Sequence, residues 1–259
     1  GNNVSIGHNA MVHGCVIHDN VLTEMSRAQG HNGNIMNAGG RHFKNVKYYN
    51  NKSYKPDDEG VDMNPIGSVL RPLPQGWNFH LEIWHNEGGF EIYNNEFHGG
   101  SCAVDIGGEY AKKGEYAYSY SIHDNLFTPI SGHGGTPSYH GSDAITVEAF
   151  YTEDVYIYDN HFLNFPITIE IGDEPTHYCE MKRIYVYNNL MENTGYGSGI
   201  FTGVIGVQAQ RVGNIVSDIY IHNNTIVSDP TSRTMAFSIS VGDAGIPGGG
   251  KIGRASCRE

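Results

Sequence analysis

Four carboxylates occupy equivalent places in four short strands of this chain. Glu82 lies in FHLEIW, Asp105 in CAVDIG, Glu148 in AITVEA and Glu170 in ITIEIG. Apolar residues alternate with them at the period of two that is typical of a strand with one apolar and one polar face. Alignment of such strands on their apolar residues predicts one outward column, which is Ser5, Asn37, Glu82, Asp105, Glu148, Glu170, Gln208 and Ser240.

Carboxylates stacked in this way could do acid and base chemistry. On neighbouring strands they would lie about 4.8 Å apart, and like charges in register destabilise a sheet by up to about 1 kcal/mol per pair. A chain that carries four in succession is therefore expected to use them. Neighbours match the ~5 Å separation of a retaining glycosidase, whereas carboxylates one strand further apart match the ~6.5–9.5 Å of an inverting one.

The two central members of the column, Asp105 and Glu148, are the predicted acid and base. Crowded carboxyl groups have pKa values that differ from one another, which lets an acid and a base coexist near neutral pH. Exposed aromatic side chains in a groove are platforms for pyranose rings, and two of them follow a carboxylate by two residues. The predicted substrate-binding residues are Glu82, Trp84, Glu170, His80 and Phe150.

The same carboxylates allow two other interpretations. Converging carboxylates and carbonyls form Ca²⁺ sites, so Asp105, Glu148 and Glu170 could hold this cation. Alternatively, the column is only a solvated acidic face. The sequence contains no P-loop, GxSxG, HExxH or CxxC motif, so it predicts no other metal or cofactor.

A second type of strand must position these carboxylates. Each strand of this type ends in an Asn. It recurs in VIHDNVL, KYYNNKSY, EIYNNEF, SIHDNLF, VYIYDNHF, YVYNNLM and YIHNNTI. From Asn95 the steps to the next four equivalent residues are 30, 35, 29 and 35. Such a period indicates a solenoid, in which each unit buries its apolar face by stacking on copies of itself. The recurring residues are Asn20, Asn51, Asn95, Asn125, Asn160, Asn189 and Asn224.

The repeat resembles the right-handed parallel β-helix of the pectin-lyase-like proteins over nearly the whole chain. The resemblance implies an all-β fold of about seven to eight coils, in which the recurring Asn side chains form an inward ladder. It also implies an exported protein that acts on polysaccharides. Similar β-helix lyases use Ca²⁺ and a basic residue, for which Lys112 and Lys113 are the nearest in sequence to Asp105.

An outward aromatic position accompanies the Asn-bearing strands. Because its members are so regular, the sequence predicts that they stack on one another along the solenoid rather than form a separate binding patch. These residues are His18, Tyr49, Tyr93, His123, Tyr158, Tyr187 and His222.

The net charge of the chain argues against some classes of partner, and its two ends set the expected bounds of the domain. The 259 residues carry a net charge of −12, which argues against nucleic acid or an anionic membrane as partner. No apolar run approaches the ~18 residues of a transmembrane helix. One domain is expected over 1–251, cut at both ends, with a loop excursion at about 52–75. The final IGRASCRE resembles a translated sequencing adapter, which predicts a non-native tail at 252–259.

Three functions follow from these patterns. The first is an extracellular glycoside hydrolase that uses two carboxylates of the column. The second is a Ca²⁺-dependent polysaccharide lyase on the same substrate class. The third is a non-catalytic carbohydrate-binding or adhesin-like module, in which the acidic column is only surface.

Overall fold

The structure is a computed structural model. It describes residues 12–23, 35–36, 43–54, 79–83, 86–99, 102–107, 117–128, 143–148, 150–165, 167–173, 179–194, 203–209, 213–228, 235–241, 251–252 and 255–258. The Ser5 and Asn37 positions, the proposed excursion beyond residue 54, Trp84, Lys112 and Lys113 lie outside these residues.

The described chain is all-β and forms three sheets, with no helix among the described residues. The first sheet contains β4 (Ile35–Met36), β8 (Phe79–Ile83), β11 (Cys102–Ile106), β14 (Asp143–Val147), β17 (Ile167–Asp173), β20 (Gly203–Ala209) and β23 (Met235–Val241). The second contains β1 (Val12–His13), β2 (Val16–His18), β5 (Phe43–Lys44), β6 (Lys47–Tyr49), β9 (Gly88–Tyr93), β12 (Ala117–His123), β15 (Phe150–Tyr158), β18 (Cys179–Tyr187), β21 (Ile215–His222), β24 (Lys251–Ile252) and β25 (Ala255–Arg258). The third contains β3 (Val21–Thr23), β7 (Lys52–Tyr54), β10 (Glu96–His98), β13 (Leu126–Thr128), β16 (His161–Leu163), β19 (Leu190–Thr194) and β22 (Thr225–Ser228).

Every strand pairing is parallel and joins a strand to its counterpart in the next repeat. In the first sheet the order is β4, β8, β11, β14, β17, β20 and β23. In the third sheet the order is β3, β7, β10, β13, β16, β19 and β22. Because each repeat contributes to the three sheets in turn, the sheets grow together along one direction. The predicted all-β, parallel and repetitive architecture is confirmed, and it is consistent with a β-solenoid.

The interior is filled by apolar residues in columns that run from repeat to repeat. Leu81, Val104, Ile145 and Ile169 are fully buried at one position of the first sheet. In the third sheet the ring centroids of Phe97 and Phe127 are 5.0 Å apart, and those of Phe127 and Phe162 are 4.7 Å apart. Close stacking between repeats therefore supplies the core that no single repeat could form alone.

The predicted asparagine ladder is present at the turn between the second and third sheets. Asn95 donates from Nδ2 to Oδ1 of Asn125 at 2.9 Å, and Asn125 donates to Oδ1 of Asn160 at 3.0 Å. Each of these amides also donates to an interior carbonyl, as Asn125 does to the oxygen of Ile92. The same contact joins all seven members from Asn20 to Asn224.

The residue before each ladder position adopts the left-handed conformation. Asn94 has a φ of 53° and Asp124 a φ of 54°. Asn and Asp tolerate this region better than other side chains, which explains why the turn reads as NN or DN. A second left-handed position bends the strands of the second sheet in mid-length, at Asn45, Gly89, Ser119, Asp154, Arg183 and Asp218.

The last strands extend the second sheet. β24 and β25 both pair in parallel with β21, with Ala255 opposite Ile219 and Arg258 opposite His222. Most of the segment assigned to a non-native tail therefore lies in this sheet as a further strand.

Candidate functional site

The carboxylate column of the first sheet has a different register from the predicted one. Asp105 lies opposite Glu82 on β8 and opposite Thr146 on β14. Thr146 in turn lies opposite Glu170. The prediction that Glu148 belongs to this column is wrong by two residues. The error has a physical cause, because a shift of two keeps every apolar residue on the inner face and the period-two pattern fits both registers equally well.

The same shift affects the C-terminal end of the column. Gly206 lies opposite Glu170, and Ser238 lies opposite Gly206. Gln208 and Ser240 form a neighbouring column two residues further along, which continues from Gly172. The carboxylates thus occupy three of four successive places, with Thr146 between the second and third.

Glu148 extends β14 on the same outward face. Its backbone N–H donates to the carbonyl of Ile106 at 2.8 Å. Two residues along a strand span about 6.6 Å and neighbouring strands lie about 4.8 Å apart, so Glu148 is about 8 Å by the diagonal from both Asp105 and Glu170. The structure therefore places Glu148 at the apex of a triangle of carboxylates instead of in a row.

Solvent reaches Glu82 and the three carboxylates of the triangle unequally. Asp105 has 0% of its surface exposed and Glu82 has 7%. Glu148 and Glu170 are half-buried, and Glu170 accepts a hydrogen bond from Nε2 of Gln208. A simple solvated acidic face does not describe Glu82 and Asp105, and only Glu148 and Glu170 are open to a ligand.

His80 lies in the core rather than in a groove. Its Nδ1 is 2.6 Å from Oγ of Ser53 and its Nε2 is 2.9 Å from the carbonyl oxygen of Gly99. The ring stands edge-on to Phe97, with centroids 5.4 Å apart. A fully buried histidine held between the first and third sheets cannot contact a substrate, so this part of the prediction is wrong.

Of the two predicted aromatic platforms, Trp84 lies outside the described residues, and Phe150 lies on another strand than Glu148. Phe150 begins β15 in the second sheet, opposite Cys179, and is therefore not on the strand of Glu148. Among the described residues no group of three or more His, Cys, Asp or Glu side chains is placed to hold a metal ion, and the Ca²⁺ site at Asp105, Glu148 and Glu170 stays a prediction.

The outward aromatic column of the second sheet forms as predicted. Rings of successive repeats are nearly parallel, with centroids 4.7 Å apart for His123 and Tyr158 and 5.0 Å apart for Tyr158 and Tyr187. The stack is continuous from His18 to His222. Beside it lies a depression that sequence reasoning did not find. The signal for it was a column of tyrosines that ends at a serine, Ser121.

The chain matches no protein-family model, and no curated protein or solved structure matches it. No helix in the described part of the chain is long and apolar enough to cross a membrane.

Proposed function

We propose that the chain is a right-handed parallel β-helix of about seven to eight coils, similar to the pectin-lyase-like proteins, and that it hydrolyses a polysaccharide outside the cell. The proposal assigns the general acid to Glu148 and the general base to Glu170. Asp105 and Glu82 contribute to the electrostatics of the site without touching a sugar, because both are buried.

The observation that carries the proposal is the diagonal placement of Glu148 relative to Glu170. Strand spacing puts the two residues about 8 Å apart along the sheet, and carboxyl groups at such a separation leave room for a water molecule between an acid and a base, as in inverting glycosidases. Neighbours in one row would have been closer, and would have favoured a retaining mechanism instead.

The contacts of the two glutamates support the division of roles. Glu170 accepts a hydrogen bond from Nε2 of Gln208, which orients its carboxyl group for the role of base. Glu148 is half-buried and lies about 8 Å away along the sheet, and the proposal gives it the proton.

In the reaction, the protonated carboxyl of Glu148 gives its proton to the glycosidic oxygen as the bond to the anomeric carbon breaks. Glu170 takes a proton from a water molecule, whose oxygen attacks the anomeric carbon from the opposite face of the sugar ring. The products are two shorter sugar chains, and the new reducing end has the inverted configuration.

The test is hydrolysis of a panel of neutral and acidic polysaccharides, followed by reducing ends and by the anomer that appears first in proton NMR. Glu148→Gln and Glu170→Gln are each expected to lower kcat by about 100-fold or more, since general acid–base catalysis contributes at least that factor. The matched control is Glu192→Gln, which makes the same change on the half-buried Glu192 of the third sheet. Activity that survives both substitutions would refute the assignment.

A second candidate is a non-catalytic carbohydrate-binding module. The burial of Glu82 and Asp105 favours it, because it leaves fewer carboxylates open to a ligand than an extended catalytic groove would have. The absence of new reducing ends from every polysaccharide, together with retained binding, would select this candidate. An unsaturated product that absorbs ultraviolet light, lost on addition of chelator, would instead select the lyase.

A further inference from the structure

The corner between the second and third sheets has the same form in seven repeats. A left-handed Asn or Asp precedes each ladder Asn, and a strand of the third sheet begins at the residue after that Asn. All seven of these corner residues are exposed, in contrast to the ladder residues of the middle repeats. They are Asp19, Asn50, Asn94, Asp124, Asp159, Asn188 and Asn223.

One of these corners differs from the others in carrying a hydroxyl residue. Asn223 is followed two residues later by Thr225, with the ladder residue Asn224 between them. Asn-x-Ser/Thr, where x is not Pro, is the acceptor sequence for attachment of a sugar to the Asn amide. The chain contains this sequence three times, at Asn3, Asn51 and Asn223, and the structure describes the last two.

The acceptor sequence at Asn51, Lys52 and Ser53 is hidden by the fold. Asn51 belongs to the ladder and has 1% of its surface exposed. Its Nδ2 donates to the carbonyl oxygens of Ile17 and Tyr49 at 3.0 and 2.9 Å. Ser53 is fully buried. Neither side chain can reach an enzyme unless this part of the stack opens.

The acceptor sequence at Asn223 is open by comparison. Asn223 and Thr225 are both exposed, and within the described part of the chain the amide of Asn223 has no hydrogen-bond partner. The N–H of Thr225 donates to the carbonyl oxygen of Asn189 at 2.8 Å, which ties β22 to β19. Among the described strands β22 pairs with β19 alone, whereas β7, which holds Ser53, lies between β3 and β10.

From these observations we infer that Asn223 is an acceptor for N-linked glycosylation in the folded chain. The sugar comes from a diphosphate ester of that sugar held by a transferase. Nδ2 of Asn223 forms a bond to the anomeric carbon, and the bond from that carbon to the diphosphate oxygen breaks. The electron pair leaves with the diphosphate, and a base of the transferase takes one proton from Nδ2. The hydroxyl of Thr225 serves to position the amide.

The test is incubation of the folded full-length chain with a soluble N-glycosyltransferase and UDP-glucose, followed by peptide mass mapping. The added mass of one hexose is expected at Asn223. None is expected at Asn188, which is also exposed and left-handed but is followed two residues later by Leu190. Modification at Asn51 should be at least about tenfold slower than at Asn223, because the ladder must first open. Synthetic peptides of residues 47–54 and 219–228, which lack the fold, should both accept the sugar.

Variants of the corner separate the roles of its two exposed residues. Asn223→Gln should abolish modification of this segment, because the amide is displaced by one methylene group. Thr225→Ala should slow modification at least about tenfold, since a site that hydrogen-bonds a hydroxyl rejects an analogue without one. Thr225→Ser keeps the hydroxyl and should restore the rate. Glu148→Gln should be modified as the unaltered chain is, which makes the result independent of the proposed hydrolysis.

Three outcomes would overturn the inference. The first is that Asn223 accepts no sugar in the folded chain, or in its peptide. The second is that Asn51 is modified in the folded chain as fast as Asn223, and the third is that Thr225→Ala is modified as fast as the unaltered chain. Circular dichroism of each variant shows that the fold is retained.

Discussion

The outer faces of the first and second sheets both carry residues in columns, but the two columns differ in continuity. On the second sheet seven aromatic rings stack without a gap from His18 to His222. On the first sheet the carboxylates of Glu82 and Asp105 are followed by Thr146, and Glu170 is followed by Gly206.

The difference follows from how the two kinds of side chain interact across strands. Each added ring gains a contact of about 0.5–1.5 kcal/mol with its neighbour, whereas each added carboxylate in register loses up to about 1 kcal/mol. Aromatic columns can therefore run the length of the stack. Carboxylate columns are interrupted, and a fourth carboxylate is found on the diagonal, where it is further from its neighbours.

The largest expected effect comes from closing the gap in the carboxylate column. Thr146→Glu would place a charge at a position with 7% exposure, directly between Asp105 and Glu170. An uncompensated buried charge costs about 3–5 kcal/mol of unfolding free energy. Urea unfolding at pH 7 measures this loss.

Thr146→Gln is the control for Thr146→Glu, because it has the same size without the charge. The difference in stability between the two variants should shrink as the pH falls and the introduced carboxyl group is protonated. Equal destabilisation of both variants at pH 7 would show that volume, and not charge, limits this column.

A smaller effect is expected from breaking an aromatic column. Tyr185 stacks on rings on both sides, at 4.9 Å from Tyr156 and 4.9 Å from Tyr220. Tyr185→Leu should therefore lose about 1–3 kcal/mol, and Tyr220→Leu, which removes the end member of the same three rings, about half as much. Similar losses in urea unfolding for both variants would contradict a stabilising role for stacking.

The smallest effect is expected for a half-buried carboxylate on the third sheet. A hydrogen bond from Lys52, and next the contact with His98, hold the pKa of Glu96 below its usual value of 4.5. A lowered pKa in the folded state contributes stability above pH 4.5 that is lost as the pH falls through the folded value. Glu96→Gln should thus be less stable than the unaltered chain by at most about 1 kcal/mol at pH 7. Unfolding curves recorded at successively lower pH should show this difference shrinking as the pH falls through the folded pKa of Glu96.

The sequence predicted register wherever residue identity marks a position. Asn125 and Asn160 could be aligned because a turn that needs a left-handed residue followed by an inward amide accepts few side chains, and their contact is confirmed at 3.0 Å. Tyr158 and Tyr187 could be aligned for a related reason, since each lies two residues before a ladder Asn in the sequence. These features also led to the all-β repeat.

The carboxylate site could be predicted only in part. Thr146 and Glu148 lie on the same face of one strand, so alternation alone does not decide which of them is opposite Asp105. His80 was misplaced for a different reason. Its position in the first sheet is buried in every described repeat, as at Ala103, Ala144 and Thr168, so the strands there have no solvent-facing side. The depression was not predicted, because its signal in the sequence is a single serine, Ser121, at a position where later repeats carry tyrosine.

The amide ladder has a consequence for how such a chain can change over time. Adjacent members are separated by as few as 29 residues and as many as 44, yet the contact between their side chains varies only from 2.9 to 3.2 Å. The ladder thus fixes the pitch of the stack at one corner and leaves the length of each repeat free. Segments inserted away from that corner can grow, shrink or acquire new binding properties while the register of the stacked repeats is kept.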